Sequence, residues 1–290
     1  MGELIDGKVV SKAVKDEVAG QVAELKQEHN LTPSLHAILV GSDPGSQYYV
    51  NSKRKTCAKL GMDSDVHELP ESTSQQELEE LVQGLNARED VNGILVQLPL
   101  PKHMDEYEII KLIDPSKDVD GFTHHSIGDL YLGRECLQPC TPSGIIRLLD
   151  HYDIPIEGKD AVVIGRSNIV GRPISLLLQH RNATVTMCHS RTRDLQYKAA
   201  SADILVAAIG KSGYIKGDWV KEGAVVIDVG INRVEDTTQD KGYRIVGDVQ
   251  FESARERASY ITPVPGGVGL MTIACLMENT LKAFRIQNHI

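Results

Sequence analysis

An apolar run enters a glycine-rich turn and then a helical segment in Val162-Val163-Ile164-Gly165-Arg166-Ser167-Asn168-Ile169-Val170-Gly171-Arg172-Pro173. This order points backbone N–H groups and the positive end of a helix at one spot, an arrangement that binds a pyrophosphate. The usual G-x-G-x-x-G spacing is not kept, because Ser167 stands at its second glycine and Val170 at its third. Taken alone, the turn fits a nucleotide site or a plain tight connection between strand and helix.

The alternation of strand and helix recurs on both sides of this turn. Apolar runs predict strands over residues 160–164, 184–188, 203–209 and 224–229, and earlier over 35–40, 66–69 and 93–98. An apolar stripe at helical spacing (Val10, Val14, Val18, Val22, Leu25) predicts an opening helix, and residues 268–284 predict a closing one. Repeated strand–helix–strand units indicate parallel sheets covered on both faces, hence an α/β protein. A domain boundary is expected near residues 140–142.

Length and composition limit the class of protein. A chain of 290 residues is long enough for one large or two ordinary domains, and two is the better expectation. Its net charge of −9 disfavours nucleic acid and anionic membrane as partners. No apolar run approaches the roughly 18 residues of a membrane span. Five scattered cysteines without a C-x-x-C pair, and a start without secretory features, predict a cytoplasmic protein.

The end of the predicted strand 184–188 indicates which dinucleotide is used. The segment reads Cys188-His189-Ser190-Arg191-Thr192-Arg193, where an NAD enzyme usually places an acidic residue against the ribose. Hydroxyl and guanidinium groups bind phosphate, and Arg166 adds a second cation, so NADP is favoured over NAD. The alternative is a solvated basic loop in which Asp194 pairs with one of the arginines.

A second motif, Tyr49-Val50-Asn51-Ser52-Lys53, lies on a predicted helix in the first half. Residues four apart share a helix face, so the phenol and the ammonium group point into the same space. Short-chain dehydrogenases use a similar pair, but there the glycine-rich turn precedes it, which argues against that class here. An ordinary surface tyrosine and lysine is the simpler explanation. Gln97 ends a buried strand, and in parallel sheets ligands gather at the carboxyl ends of strands.

Two further segments carry residues of the kind that contact ligands. Asp118 and Asp120 are two carboxylates beside a glycine, but no histidine or cysteine cluster accompanies them, so no metal site is predicted. The adjacent His124 and His125 are expected in an exposed turn. Residues 262–269 form a proline-stiffened, glycine-rich run that lets a flat ligand approach the backbone or serves as a plain helix entry.

Together these segments resemble the methylenetetrahydrofolate dehydrogenase/methenyltetrahydrofolate cyclohydrolase family. The matching blocks are residues 49–53, 93–101, 117–121, 139–142, 165–173 and 262–269. They run in family order over nearly the whole chain, which makes the set far more specific than any single block.

The resemblance implies a folate domain over residues 1–140, a Rossmann-like parallel-sheet NADP domain over 141–265, and a C-terminal segment, 266–290, whose helix packs back on the first domain. It implies NADP-dependent oxidation of methylenetetrahydrofolate to methenyltetrahydrofolate, then hydrolysis to 10-formyltetrahydrofolate, within one-carbon metabolism and purine biosynthesis. Tetrahydrofolate derivatives are the implied substrates, and a homodimer is the implied assembly.

The resemblance also implies residue roles. Lys53 would be the essential group of the cyclohydrolase step and Gln97 its hydrogen-bond partner, while Tyr49 stacks on the aminobenzoyl part of folate and Asp120 grips the pterin. The implied substrate-binding residues are Tyr49, Val96, Gln97, Leu98, Asp120, Pro265, Gly266 and Gly267. The implied cofactor-binding residues are Gly165, Arg166, Ser167, Ser190, Arg191 and Ile231.

Two positions depart from the family pattern: Leu270 stands where proline is usual, and Ser126 where asparagine is common. Both are implied to flank the folate pocket, so substrate affinity is the property in question. Two alternatives stay open from the residues alone: another two-domain NADP dehydrogenase, such as a shikimate or amino-acid dehydrogenase relative, and a folate- or nucleotide-binding protein without turnover.

Overall fold

The computed structural model describes residues 1–239 and 242–290, which form two compact units. We call Met1–Lys12 with Thr141–Thr272 the turn unit, because it holds the glycine-rich turn. Ala13–Cys140 with Ile273–Ile290 is the lysine unit, because it holds Lys53. Among the described helices, none combines the length and hydropathy needed to cross a lipid bilayer.

The first half of the chain alternates strands and helices as predicted. Its elements are β1 (Glu3–Leu4), α1 (Gly7–His29), β2 (Ser34–Val40), α2 (Pro44–Lys59), β3 (Asp63–Leu69), α3 (Gln75–Asn86), β4 (Gly93–Val96), α4 (Glu106–Ile110), α5 (His124–Tyr131) and α6 (Cys140–His151). A single 3-10 turn lies at Pro115–Lys117.

The second half continues the same alternation. Its elements are β5 (Asp160–Ile164), α7 (Gly171–His180), β6 (Thr184–Cys188), α8 (Leu195–Ala199), β7 (Ile204–Ala207), β8 (Val225–Asp228), β9 (Asn232–Glu235), β10 (Tyr243–Val246), α9 (Phe251–Arg257), β11 (Tyr260–Ile261) and α10 (Gly269–Asn288). A 3-10 turn at Gly217–Trp219 precedes β8.

The lysine unit is built on a parallel sheet in the order β3-β2-β4. Every residue of β2 is buried, as expected for a central strand with a neighbour on each side. Ile38 and Val40 of β2 pack in one cluster with the apolar face of α3. Helix α3 starts with a complete capping box between Ser74 and Glu77, a device worth about 1 kcal/mol.

The turn unit is built on a six-stranded sheet in the order β1-β11-β8-β7-β5-β6, with every pair parallel. The chain passes from β5 to β6 on one side and then to β7 on the other. This reversal leaves a crevice at the carboxyl ends of β5 and β7, where ligands bind in open α/β sheets.

The predicted α/β class with parallel sheets is confirmed, and the differences are local. Residues 1–12, which the sequence analysis grouped with the first domain, belong to the turn unit because β1 pairs with β11. The predicted strand 93–98 ends at Val96. The antiparallel pair β9–β10 was not predicted, because its residues are largely polar and half exposed.

Candidate functional site

Lys53 lies on the buried face of α2, which also carries Ser46, Val50 and Cys57 at helical spacing. Only 9% of Lys53 is exposed, which is rare for a lysine. Its Nζ donates a hydrogen bond to Gln97 Oε1 at 3.0 Å. The helix is fixed at its start by Asp43, whose carboxylate accepts from Ser46 N at 2.7 Å.

Gln97 follows directly on β4, at the carboxyl edge of the small sheet. Its Nε2 donates to the Leu98 carbonyl oxygen at 2.8 Å, which turns the amide oxygen toward Lys53. The side chain is therefore held at both ends. A fixed acceptor of this kind sets the position of the lysine amine before any ligand arrives.

A parallel bridge pairs Ile94 of β4 with Asp118. Two residues further along these two segments lie Val96 and Asp120, so Asp120 reaches the same carboxyl edge of the sheet as Gln97. Burial raises the pKa of Asp120 to about 6, although the positive charge of Lys53 pulls the pKa down. The Cys140 Sγ lies 3.9 Å from Asp120 Oδ1. The carboxyl group therefore changes protonation near neutral pH beside a buried amine.

Asp118 has a different task from Asp120. Its two oxygens accept hydrogen bonds from Phe122 N at 3.1 Å, Thr123 N at 2.8 Å and Ser126 Oγ at 2.7 Å. The departure at Ser126 thus supplies one donor of a buried polar network that starts α5. His124 and His125 are exposed, as expected, but they form the first turn of that helix rather than a loop.

Two groups beside Asp120 were not predicted from the sequence. Asn279 of α10 is buried, and its Nδ2 donates to the carbonyl oxygens of Val119 and Gln138, each at 2.8 Å. Burial and the charge of Asp120 hold the pKa of the Cys140 thiol well above its ordinary value, so the thiol stays protonated. Asn279 stands between Glu278 and Thr280 in a helix that carries several other polar residues, so no local pattern singled it out.

The other predicted substrate residues divide between the two units. In the lysine unit, Val96 is buried, Leu98 is half-buried, and Tyr49 is 41% exposed one helical turn before Lys53. Pro265, Gly266 and Gly267 belong to the turn unit, where the Gly266 carbonyl accepts from Gly7 N at 2.9 Å. The departure at Leu270 lies at the start of α10 in the same unit, and its N–H donates to Gly267 O at 3.3 Å.

The turn unit has a cavity of about 500 Å³ at the carboxyl ends of β5, β6 and β7. Four of the six predicted cofactor residues line it: Gly165, Arg166, Ser167 and Ser190. Arg191 is exposed beside Ser190 and does not line the cavity, and Ile231 lies after β8, 54% exposed. The volume falls in the range of small-molecule and cofactor sites.

Glycine is required at both ends of the turn. Gly165 has φ +132, and a Cβ there would collide with the Ala208 carbonyl oxygen. A Cβ at Gly171 would collide with the Gly165 carbonyl oxygen, so these two glycines pack the turn against the start of α7. Ser167 Oγ accepts from Val170 N at 3.2 Å and Gly171 N at 3.3 Å. The variant spacing thus replaces the middle glycine with a serine whose hydroxyl accepts two backbone N–H groups at the start of α7.

The cationic groups around this cavity are not neutralised by carboxylates. Within residues 1–239 and 242–290, Arg166, Arg191 and Arg193 make no ion pair. Asp194 stands at the start of α8, and in the same described residues its side chain makes no capping hydrogen bond to that helix. The alternative in which Asp194 pairs with an arginine is therefore not what the described residues show. Free guanidinium groups at this strand end suit a phosphate-bearing ribose.

Lys211 and Tyr214 also line the cavity and were missed from the sequence. The Lys211 ammonium lies 5.4 Å from the centre of the Tyr214 ring. Their loop is held by Asp248, a fully buried residue whose carboxylate accepts from Ile209 N, Gly210 N and Lys211 N at 2.7–3.0 Å. The glycines at 210 and 213, directly after a predicted strand, were the signal for this second ligand loop.

A second buried carboxyl, Asp228 at the end of β8, lies behind this loop. It accepts from the backbone N–H groups of Gly230, Asp248 and Val249, each at 2.9 Å. Burial nevertheless raises the pKa of Asp228 to about 6. Gly247 has no room for a side chain, because a Cβ there would run into the Asp228 carboxylate.

Comparisons with known proteins agree over the full length. Family models for the tetrahydrofolate dehydrogenase/cyclohydrolase catalytic domain and NAD(P)-binding domain match residues 5–120 and 139–288. The chain is 53% identical to the bifunctional protein FolD of Chloroherpeton thalassium, over 97% of this chain and 98% of that protein.

Solved structures show the same likeness. The bifunctional FolD methylenetetrahydrofolate dehydrogenase/cyclohydrolase of Campylobacter jejuni is 47% identical, with a TM-score of 0.95 and coverage of 100% of both chains. The enzyme of Trypanosoma brucei, solved with NADP cofactor and an inhibitor, is 41% identical with a TM-score of 0.95, over 100% of this chain and 99% of that one.

Proposed function

The chain belongs to the tetrahydrofolate dehydrogenase/cyclohydrolase family, and we propose how its residues divide that family's two reactions. The protein oxidises methylenetetrahydrofolate to methenyltetrahydrofolate with NADP and hydrolyses the product to 10-formyltetrahydrofolate, a part of one-carbon metabolism. The observation that carries the residue assignment is the hydrogen bond from the buried Lys53 to Gln97, beside the Asp120 carboxyl, whose pKa burial raises to about 6.

NADP fits the cavity at the glycine-rich turn. The close packing of Gly165 and Gly171 leaves the turn backbone open to a pyrophosphate, and Arg166, Ser167 and Ser190 line the same cavity. We assign the ribose phosphate to Arg191 at the end of β6, and a contact with the bound cofactor to Ile231. When bound, NADP supplies the hydride acceptor of the first reaction.

The hydride step needs positioning rather than a side-chain base. The methylene carbon lies between two nitrogens whose lone pairs stabilise the cation that remains, and no hydroxyl proton has to leave. The proposed task of this chain is therefore to hold the folate in place. Tyr49 stacks on the aminobenzoyl ring and Asp120 binds the pterin, with Val96, Leu98 and residues 265–267 as further contacts.

The hydrolysis step does need proton movement. Water adds to the methenyl carbon and loses one proton. Ring opening then forms the formyl C=O with loss of the hydroxyl proton, and the departing nitrogen takes up one proton, so that one proton is released overall. Lys53 Nζ is the group assigned to this transfer, because it is buried and fixed by Gln97 Oε1 at 3.0 Å. The Asp120 carboxyl interacts with Lys53 through its charge, so its protonation state would change the electrostatic environment of the lysine.

The assignment is tested by Lys53→Met, with Lys55→Met as a matched control on an exposed position of the same helix. We expect the cyclohydrolase rate of Lys53→Met to fall by roughly 100-fold or more, because proton transfer is lost, while dehydrogenase activity stays within a few-fold. A coupled assay that follows both formation and decay of the methenyl chromophore measures both steps. Equal losses of the two activities would contradict the division of roles.

We further propose that the protein is a cytoplasmic homodimer that feeds purine biosynthesis and binds neither nucleic acid nor membrane. Strands β3 and β6 each end a sheet with an unpaired edge, which a second copy can cover. The net charge of −9 supports the absence of polyanionic partners. We also propose functional domain limits near residues 140 and 265, as expected from the sequence.

A further inference from the structure

His36, Asp65 and His67 form a cluster outside the Lys53 and glycine-turn sites. His36 Nδ1 lies 3.0 Å from His67 Nε2, and His67 Nε2 lies 3.9 Å from Asp65 Oδ2. One ligand atom from each of the three residues falls within 4.8 Å of the other two. Among the described residues, this is the one group of at least three such side chains that could surround an ion.

The cluster is held by two neighbouring parallel strands. In the register of β2 and β3, His36 is opposite Asp65 and Ile38 is opposite His67, so the two histidines are diagonal neighbours. His36 is 4% exposed and His67 has 19% of its side chain exposed. A site carried by paired strands keeps its ligands in place better than one on a loop.

The two imidazoles already have the chemistry of ligands. Two ring nitrogens that face each other need a proton or a cation between them, because their lone pairs repel. A neutral imidazole can carry its proton on the distal nitrogen, which frees the facing one without losing a proton.

The spacing is close to what a tetrahedral ion needs. Zinc–nitrogen bonds of about 2.0–2.1 Å imply a nitrogen–nitrogen separation of roughly 3.3 Å across a tetrahedral site. The present 3.0 Å is therefore a few tenths of an ångström short, which small side-chain rotations supply. Two histidines and one carboxylate, with a fourth position left to water, is a ligand set that zinc uses in proteins.

The surroundings favour a cation. A cavity of about 520 Å³ beside the cluster is lined by the carboxylates of Asp63, Asp65, Glu89 and Asp90 against the single guanidinium of Arg88. Arg88 is already paired with Asp90 at 2.6 Å, so its charge is locally balanced. The excess negative charge attracts a divalent ion, and the open cavity supplies the water ligand.

We propose that His36 Nδ1, His67 Nε2 and Asp65 Oδ2 bind one Zn²⁺ ion, with a water from the adjacent cavity as the fourth ligand. The ion would tie the edge strand β3 to the buried strand β2. Because binding requires the folded pairing of these strands, it also raises the thermal stability of the chain.

The test titrates the chelator-treated full-length protein with Zn²⁺ in a calorimeter and follows the unfolding temperature in parallel. We expect one ion per chain and an increase in unfolding temperature. Asp65→Asn and His67→Asn should each weaken binding at least about tenfold. Asp65 is largely exposed, with 62% of its side chain accessible, so Asp65→Asn keeps the fold even if a histidine variant does not.

Two controls separate this site from other zinc ligands. Asp63→Asn changes an exposed carboxylate of the same cavity that is not a ligand, and Cys136→Ser removes a half-buried thiol; both should bind Zn²⁺ as the parent does. Co²⁺ in place of Zn²⁺ should give the visible bands of nitrogen and oxygen ligands without a thiolate charge-transfer band. Absence of binding by the parent, unchanged binding by Asp65→Asn and His67→Asn, or a thiolate band would each overturn the proposal.

Discussion

Two buried lysines in the same unit show what separates a structural side chain from one that is available for chemistry. Lys117 Nζ donates to three backbone carbonyl oxygens, those of Leu85 at 3.3 Å, Asn86 at 2.8 Å and Arg88 at 2.6 Å. All three of its donors are used at the end of α3. Lys53, within the described residues, has Gln97 as its hydrogen-bond partner, which leaves donor capacity for a ligand.

The guanidinium of Arg191 is exposed at the end of β6 and has no carboxylate partner among the described residues. We expect Arg191→Ala to raise the KM for NADP by about tenfold or more, because a charge-assisted contact to the ribose phosphate is lost. The KM for NAD should change little. Initial rates with each cofactor measure the ratio, with Arg193→Ala in the same loop as a comparison. Parallel increases for both cofactors would remove Arg191 from the phosphate site.

At the level of elements, the loop after β7 is held in place by the carboxylate of one residue, Asp248. Asp248 accepts hydrogen bonds from three consecutive backbone N–H groups of that loop and from Asn232 Nδ2 at 2.9 Å. No part of Asp248 is exposed. One carboxylate thus fixes the loop that carries Lys211 and Tyr214 into the cavity.

We expect Asp248→Ala to lower the free energy of unfolding by roughly 3–5 kcal/mol, because several buried donors lose their acceptor. The KM for NADP should rise with it, since the loop lines the cofactor cavity. Urea unfolding followed by circular dichroism measures the first effect, and Asp218→Ala, an exposed carboxylate, is the control, expected within about 0.5 kcal/mol of the parent. A loss below about 1 kcal/mol for Asp248→Ala would show that water replaces the carboxylate.

The elements also show what the sequence could and could not predict. Helix α3 and strand β2 were predictable because their apolar periodicity and capping residues are local. The short strands β1 and β11 were not, because two residues carry no periodic pattern and their pairing joins distant parts of the chain. The same holds for the site, where Asn279 contacts a carbonyl 160 residues away. Such contacts depend on the tertiary fold, which local patterns do not encode.

For the molecule as a whole, stability depends on where its buried carboxyl groups titrate. Burial raises the pKa of both Asp120 and Asp228 to about 6, above the ordinary value of 3.8. Between pH 3.8 and about pH 6, the folded chain therefore binds more protons at these carboxyl groups than the unfolded chain does. Their contribution to stability is therefore complete below about pH 4 and is lost as the pH rises through about 6.

Asp120→Asn tests the direction of this pH dependence of stability, because the asparagine amide does not titrate. We expect the free energy of unfolding of the parent, relative to that of Asp120→Asn, to fall by roughly 2 kcal/mol between pH 4 and pH 7. Urea titrations at several pH values measure the difference, and Glu89→Gln, at an exposed position, should give no such trend. A difference that increases with pH would mean that the Lys53 charge outweighs burial.

The glycine at position 247 limits how this protein can diverge over time. Any side chain there would displace the Asp228 carboxylate, and with it the amides of Gly230, Asp248 and Val249 that surround it. The exposed residues after β6, Ser190 and Arg191, lie at the surface and do not face a buried carboxylate of this kind. A lineage can therefore retune its choice of dinucleotide by exchanging surface residues, while the buried segment after β10 tolerates only a hydrogen atom at this position.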